Sequence, residues 1–254
     1  GGAGSDTAAY SGSADGVVVN LATGQGTGGD AEGDVLSGIE HLVGSAGADR
    51  LSGNAEANTL TGAAGDDVLD GGAGADTLVG GDGSDTASYS RATSGLVASL
   101  AAPSANTGEA AGDSFSSIEN LTGSAGADTL TGDGDANRLD GGAGDDLLTG
   151  GGGADSLVGG AGNDTVNYTA SAAAVVVDLL TGTGSGGDAE GDTFSGVEHV
   201  LGSAGNDSLA GTADDNRLVG GSGNDALEGG AGADTLAGGA GSDTASYARA
   251  ADGV

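Results

Sequence analysis

Large aliphatic residues recur along this chain at a strict nine-residue step. Leu42, Leu51, Leu60, Leu69 and Leu78 mark the step, which ends in Ala87, and an acidic or amide position lies two residues before each: Glu40, Asp49, Asn58, Asp67, Asp76 and Asp85. Glycines hold fixed offsets between them, as in AGADRLSGN, AGDDVLDGG and AGADTLVGG. A step of nine fits neither the 3.6-residue period of a helix nor the two-residue period of a long strand. It predicts a strand of about three residues, such as Thr77, Leu78 and Val79 with the leucine inward, alternating with a six-residue glycine-rich turn.

A longer period lies over the short one. Tyr10, Tyr89, Tyr168 and Tyr247 are evenly spaced and sit in the matching contexts DTAAYS, DTASYS, DTVNYT and DTASYA. The chain therefore reads as three copies of one unit, residues 1–79, 80–158 and 159–237, with a truncated fourth at 238–254, all in one continuous solenoid. The fold class expected is all-β, with two strands and two turns per 18-residue circuit. Turns 18 residues apart then lie about 4.8 Å above one another.

Each copy also holds a step of 34 where nine is expected, from Asp6 to Glu40, Asp85 to Glu119 and Asp164 to Glu198. These segments contain the apolar runs Val17 to Leu21, Leu96 to Leu100 and Val175 to Leu179. Alternation places Val17, Val19 and Leu21 on one face, which reads as a wider circuit of the same coil; the other reading is a small projecting hairpin. Tyr10, Tyr89 and Tyr168 are expected to pack over this wider circuit.

Composition changes the picture. The chain of 254 residues has 58 Gly, one Pro, six aromatic residues and no Cys, Met or Trp. So little apolar bulk offsets poorly the entropy of ordering so much glycine, and composition alone points to disorder; the repeats argue for a fold. Thirty-eight acidic against five basic residues give a net charge of −33, which disfavours nucleic acid and makes cations the natural partners. No apolar run approaches a membrane span. The absence of an initiator Met and of a signal-like start reads as a piece of a longer polypeptide.

Stacking brings Asp49, Asp67 and Asp85 into one row, where like charges repel unless a cation lies between them. Carboxylates and turn carbonyls, with no Cys and two His, are hard oxygen donors that suit Ca²⁺. At this point the motif GGxGxDxUx, with U a large aliphatic residue, resembles the nonapeptide of the RTX (repeats-in-toxin) calcium-binding proteins, and GGAGADTLV from Gly71 to Val79 fits each fixed position.

The resemblance implies a right-handed parallel β-roll binding on the order of ten calcium ions between successive turns. The side-chain ligands implied are Asp6, Asp49, Asp67, Asp76, Asp85, Asp128, Asp146, Asp155, Asp164, Asp207, Asp225, Asp234 and Asp243. Turn carbonyls such as those of Gly44, Ala46, Gly62, Ala64, Gly71, Ala73, Gly80 and Asp82 complete the set. It also implies type I secretion and folding outside the cell.

Departures from the motif predict unequal edges. The row of Asp49, Asp67 and Asp85 keeps the fourth-position Gly in GSAGAD, GAAGDD and GGDGSD and is expected to bind well. The opposite row carries Glu40, Asn58 and Asp76, and the turn GNAEAN has lost two glycines and the charge. Glu119, Asn137, Glu198 and Asn216 repeat these slots, so sites there are expected to be weak or absent, with the side-chain amide serving turn backbone instead. Asp34, Asp113 and Asp192, in acidic loops of the wider circuits, read either as further calcium ligands or as solvated loop residues.

Nothing here assembles an active site. His41 and His199 occupy equivalent positions where the middle copy has Asn120, no partnered nucleophile or phosphate loop is present, and no enzyme is expected. Ala46, Ala73 and Ala125 at the third turn position argue against a threonine row facing ice. The reading is a calcium-stiffened spacer or fibre segment of a secreted adhesin, surface-layer or filament protein, capable of end-to-end or lateral self-association. The alternative is the accessory repeat region of a secreted enzyme or toxin.

Overall fold

The computed structural model describes residues 1–249 and divides into two compact units, Gly1–Ala125 and Gly126–Val254. Among the described residues there is no α-helix, and nearly every regular element is a strand of three to six residues. The short strands are those the nine-residue step predicts, and their parallel pairing is that of the β-roll which the resemblance implies.

In the first unit one sheet runs Thr7–Ala9, His41–Val43, Thr59–Ala64, Thr77–Asp82, Ser114–Ser116, each strand parallel to the next. The facing row stacks Val18–Asn20, Arg50–Ser52, Val68–Asp70, Thr86–Ser88 and Asn120–Thr122, again in parallel. Register superposes like on like: Leu42 on Leu60 on Leu78 and, across the roll, Leu51 on Leu69 on Ala87. All six are fully buried. A buried leucine is worth about 1.5–3 kcal/mol, and one per nine residues is a thin core for so much ordered backbone.

The second unit repeats the plan. Thr129–Thr131, Leu147–Thr149, Thr165–Asn167, His199–Leu201, Arg217–Ser222 and Thr235–Ala240 form one parallel row. The other row contains Arg138–Ala143, Ser156–Ala161 and Thr193–Ser195, joined through the antiparallel strand Thr183–Ser185 to Val176–Asp178, Ser208–Ala210, Ala226–Glu228 and Thr244–Ala245. Six strands, among them Thr59–Ala64 and Ser156–Ala161, are twice the expected length because pairing continues into the glycine turn, as in Ala63 with Gly81 and Ala64 with Asp82.

The wider circuits combine the two readings of their sequence. Val18–Asn20 lies in the roll, parallel to Arg50–Ser52, while an added strand, Gln25–Thr27, folds back antiparallel on it. Val176–Asp178 and Thr183–Ser185 do the same. The middle copy has Pro103 in this region, opening a short 3-10 turn, Pro103–Ala105, and keeps a single antiparallel bridge between Val97 and Thr107. Val17, Val19, Val175 and Val177 are fully buried, and Val18 and Val176 between them are exposed, as the alternation requires.

Candidate metal centre

The sixth residue of each turn builds a ladder. The main-chain N–H of Asp49 donates to Oδ1 of Asp67 at 2.7 Å, and that of Asp67 to Oδ1 of Asp85 at 2.8 Å. Across the roll the N–H of Asn58 donates to Asp76 and that of Asp76 to Asp113, at 2.7 and 2.9 Å. In the second unit the same bond joins Asp128 to Asp146, Asp146 to Asp164, Asn137 to Asp155, Asp155 to Asp192, Asp207 to Asp225, Asn216 to Asp234 and Asp225 to Asp243. One carboxylate oxygen of each rung thus serves the backbone of the circuit before it.

The other oxygen divides the turns into two kinds. Oδ2 of Asp67, Asp76, Asp85, Asp146, Asp155, Asp164 and Asp225 is buried and accepts no hydrogen bond. These residues are at most 2% exposed. A buried, ionised oxygen with no donor costs several kcal/mol, so such a group calls for a proton or a cation. Burial is the main reason the Asp67 and Asp76 carboxyls are pushed up to about 6, and Asp146 and Asp155 up to about 7; the ladder N–H pulls each back and neighbouring carboxylates push further. Asp85, Asp164 and Asp225 are raised for the same first cause.

The turns carrying these oxygens hold positive φ at their second and fourth residues, as at Gly72 (86°) and Gly74 (135°) before Asp76. Only Gly takes these angles without strain, and Ala63 at φ 94° is the one exception among the seven turns. The first glycine is needed for a different reason. A Cβ on Gly62 would strike both Oδ2 of Asp67 and the carbonyl oxygen of Gly80, so carboxylate and carbonyl of successive turns converge beside this bare Cα. Gly141, between Oδ2 of Asp146 and the carbonyl of Gly159, and Gly220, between Asp225 and Gly238, repeat the arrangement.

In the second kind of turn the chain supplies its own donor. Ser45 N–H donates to Oδ2 of Asp49 at 2.6 Å, and the Ser45 hydroxyl to Oδ1 at 2.8 Å. Ser203 closes on Asp207 with bonds of 2.6 and 2.7 Å. Asn58, Asn137 and Asn216 accept the N–H of Asn54, Asp133 and Thr212 through Oδ1. The amide therefore serves turn backbone, as the sequence suggests. Asp6 accepts from Gly2 N–H at 2.7 Å.

Three findings differ from the sequence expectation. First, Asp49 and Asp207 resemble the Asn turns, not Asp67: the second-position residue, Ser45 or Ser203, lacks the positive φ of the open turns, its N–H meets Oδ2, and its hydroxyl adds a bond to Oδ1. Second, the two edges do not stay unequal: the row of Asp146 and Asp164 runs on through Glu198 to Asn216 and Asp234. An odd number of nine-residue steps per copy exchanges the edges. Third, Asp34, Asp113 and Asp192 each have a tyrosine partner that the sequence did not suggest: Tyr10, Tyr89 and Tyr168 donate their hydroxyls to Oδ2 at 3.1, 2.8 and 2.6 Å. A constant Tyr-to-Asp spacing of 24 was the signal for this pair.

Burial, then the adjacent carboxylate, pushes Tyr10 up to about 12 and raises Tyr89 and Tyr168 further, so all three phenols keep their protons. Glu40, Glu119 and Glu198 span the step of 34: Oε2 of each accepts the N–H of Asp6, Asp85 and Asp164 at 2.8–2.9 Å. The strands that follow these residues pair directly, so the Glu carboxylate keeps the ladder bond across the step of 34.

Among the described residues no three acidic or histidine side chains meet at one point. A cation in the first kind of turn would be held by single carboxylates and main-chain carbonyls. Of the carbonyls expected as ligands, that of Asp82 accepts one N–H, from Gly65 at 2.9 Å, which leaves a lone pair.

The profile described as RTX calcium-binding nonapeptide repeat (4 copies) matches residues 34–69, 52–87, 114–148, 131–166, 192–227 and 210–245, more than half of the chain. The chain belongs to this family. No curated protein matches it. The orphaned oxygens fit the family's metal: bound calcium supplies a positive charge and several oxygen coordination positions. The chain's residues contribute the single carboxylates, the carbonyls and the glycine geometry that lets them converge. This is a calcium-binding repeat region.

Proposed function

We propose that this region is a calcium-stiffened spacer of an exported surface protein, unfolded before export and folded where calcium is millimolar. One observation carries the reading: the buried sixth-position carboxylates keep an oxygen without a donor at the turns whose glycine geometry matches the family motif. With a formal charge of −33 and a thin leucine core, metal binding and folding are coupled. The chain's repetition supports a mechanical role, with end-to-end or lateral association of copies as part of it. No helix of the described residues is long and apolar enough to cross a membrane. The accessory region of a secreted enzyme or toxin would use the same coupling, with the catalytic work elsewhere.

Far-ultraviolet circular dichroism during a calcium titration of the metal-stripped chain tests the coupling. A largely unordered spectrum that converts to β signal with calcium is expected. A β signal unchanged by removing calcium refutes it.

A further inference from the structure

The two kinds of turn are not scattered. Turns with an orphaned Oδ2 occur consecutively, at Asp67, Asp76 and Asp85 and again at Asp146, Asp155 and Asp164, and Asp225 opens a third run. That run continues through GGAGAD and GGAGSD to Asp234 and Asp243, with the same positive φ at Gly230, Gly232, Gly239 and Gly241. Between the runs lie the turns closed by Ser, Asn or Tyr. We propose that calcium is taken up only in three blocks, residues 62–85, 141–164 and 220–243, and that the remaining turns are metal-independent rungs closed by donors of the chain itself. This rests on the calcium reading above and adds to it where the ions go.

The physical reason is competition for one oxygen. At Asp49 each oxygen is already engaged: Oδ2 by Ser45 N–H, and Oδ1 by the Ser45 hydroxyl and by Val17 N–H at 2.7 Å. Asp207 has the same set from Ser203 and Val175. A calcium ion there would have to break buried charge-assisted bonds before gaining its own, whereas at Asp67 it meets an oxygen that has nothing to lose. Geometry opposes it as well. Neither Ser45 and Gly47 nor Ser203 and Gly205 adopts the positive φ that Gly72 and Gly74 do. At Asp113 the Tyr89 hydroxyl occupies the free side of the carboxylate, and at Asp192 Tyr168 does so. At Asn58 and Asn216 the amide also donates, to the carbonyls of Glu40 and Glu198 at 3.1 and 2.9 Å, which presents an N–H where a ligand oxygen would be needed.

The repeat itself provides matched variants. Asp49, Asp128 and Asp207 are one set, at the same place in each copy, and Asp67, Asp146 and Asp225 are the corresponding set one circuit on. Asp49→Asn, Asp128→Asn and Asp207→Asn combined make one protein; Asp67→Asn, Asp146→Asn and Asp225→Asn combined make the other. Bound calcium is counted by equilibrium dialysis and atomic emission at millimolar free calcium, with circular dichroism recorded on the same samples. The first protein is expected to hold as many ions as the parent, because Asn58 shows that an amide keeps the turn closed. The second is expected to lose about three.

Loss of about three ions from a folded first protein overturns the assignment. Should that protein fail to fold, the parent count decides: at least three ions fewer than its sixth-position aspartates is expected, and one ion for each overturns it. A parent that binds no calcium overturns the functional reading as well, so the two failures are told apart.

Discussion

Removing the Tyr89 hydroxyl by Tyr89→Phe takes a single donor from a buried carboxylate and changes nothing else in the side chain's shape. Tyr89 is 1% exposed and Asp113 3% exposed, and the bond between them is 2.8 Å. Both partners are buried, so Oδ2 of Asp113 is left as buried charge without a donor. A hydrogen bond to a charged group is worth about 1.5–3 kcal/mol, and orphaning a buried acceptor costs a similar amount. The expected loss is about 2 kcal/mol. Tyr168→Phe is expected to match it, since that tyrosine is 2% exposed and its bond to Asp192 is 2.6 Å. Tyr10→Phe breaks a longer bond, 3.1 Å, to Asp34, which is exposed and can be rehydrated, so about 1 kcal/mol is expected. Tyr247, at 56% exposed, is the internal control, with an expected change near zero.

The assay is urea unfolding at one fixed, saturating calcium concentration, followed by circular dichroism. A shift in midpoint at constant slope reads as a stability change, and a second transition would mean that the repeats unfold in parts. The double variant with Asp113→Asn isolates the pair, because the penalty of Tyr89→Phe should shrink once the charge is gone. A Tyr89→Phe protein as stable as the parent to within about 0.5 kcal/mol, the range of an inconsequential surface change, would refute the reasoning. So would a Tyr10→Phe protein as damaged as the Tyr89→Phe one.

Three further outcomes are expected. Asn58→Asp turns an amide that donates to the Glu40 carbonyl into an oxygen facing it, so it should cost about 1–3 kcal/mol and add no calcium ion; denaturation and ion counting check both parts. Ala63→Gly relieves the non-glycine φ of 94° in the Asp67 turn and should stabilise on the order of 1 kcal/mol in the same urea assay, with a loss of stability as the contrary result. In the calcium-free chain, burial pushes the Asp67 and Asp76 carboxyls up to about 6 and those of Asp146 and Asp155 up to about 7, above the ordinary carboxyl value of 3.8 expected when unfolded. Raised values mean that their contribution to stability is fully present below about pH 4 and is lost as pH rises through 6 to 7. Metal-stripped protein should therefore show more β signal at pH 5 than at pH 8, and the reverse order would contradict the burial of these groups.

How much of this the sequence disclosed depended on what repeats. The leucine step is a packing requirement, felt at each circuit, and Leu42, Leu60 and Leu78 stack as the nine-residue period says they must. The glycines of GGAGAD are legible for the same reason, since a positive φ excludes most other residues. At Asp49 the motif letter matches and the neighbouring turn residue does not. One hydroxyl and one N–H at Ser45 decide where its oxygens point, and no periodicity reports that. The Tyr–Asp pairs were half legible: burial of Tyr89 followed from position, but its partner lies 24 residues away across a circuit whose path the sequence left open. Glu40 reads in the sequence as a weak or absent site, and its role in the ladder, accepting the N–H of Asp6, follows from a contact across 34 residues that the nine-residue step does not report.

Two ways of satisfying a buried carboxylate thus divide one coil, and they have opposite consequences for control. A rung closed by Ser45 or Tyr89 carries its donor in the same chain, so its stability travels with the polypeptide and is indifferent to calcium. A rung ended by Asp76 or Asp155 is incomplete as synthesised, and its orphaned oxygen opposes folding until a cation arrives. If all turns were of the first kind the chain would fold wherever it was made; if all were of the second, every circuit would need metal to hold its shape. Three adjacent open turns in each copy are enough to tie folding to calcium, because in a coil each circuit is buried only by its neighbours and an unfolded block exposes the rungs on either side. The arrangement predicts steep rather than gradual dependence on calcium. A titration of the β signal spread evenly over several decades of concentration would show that the open turns act singly.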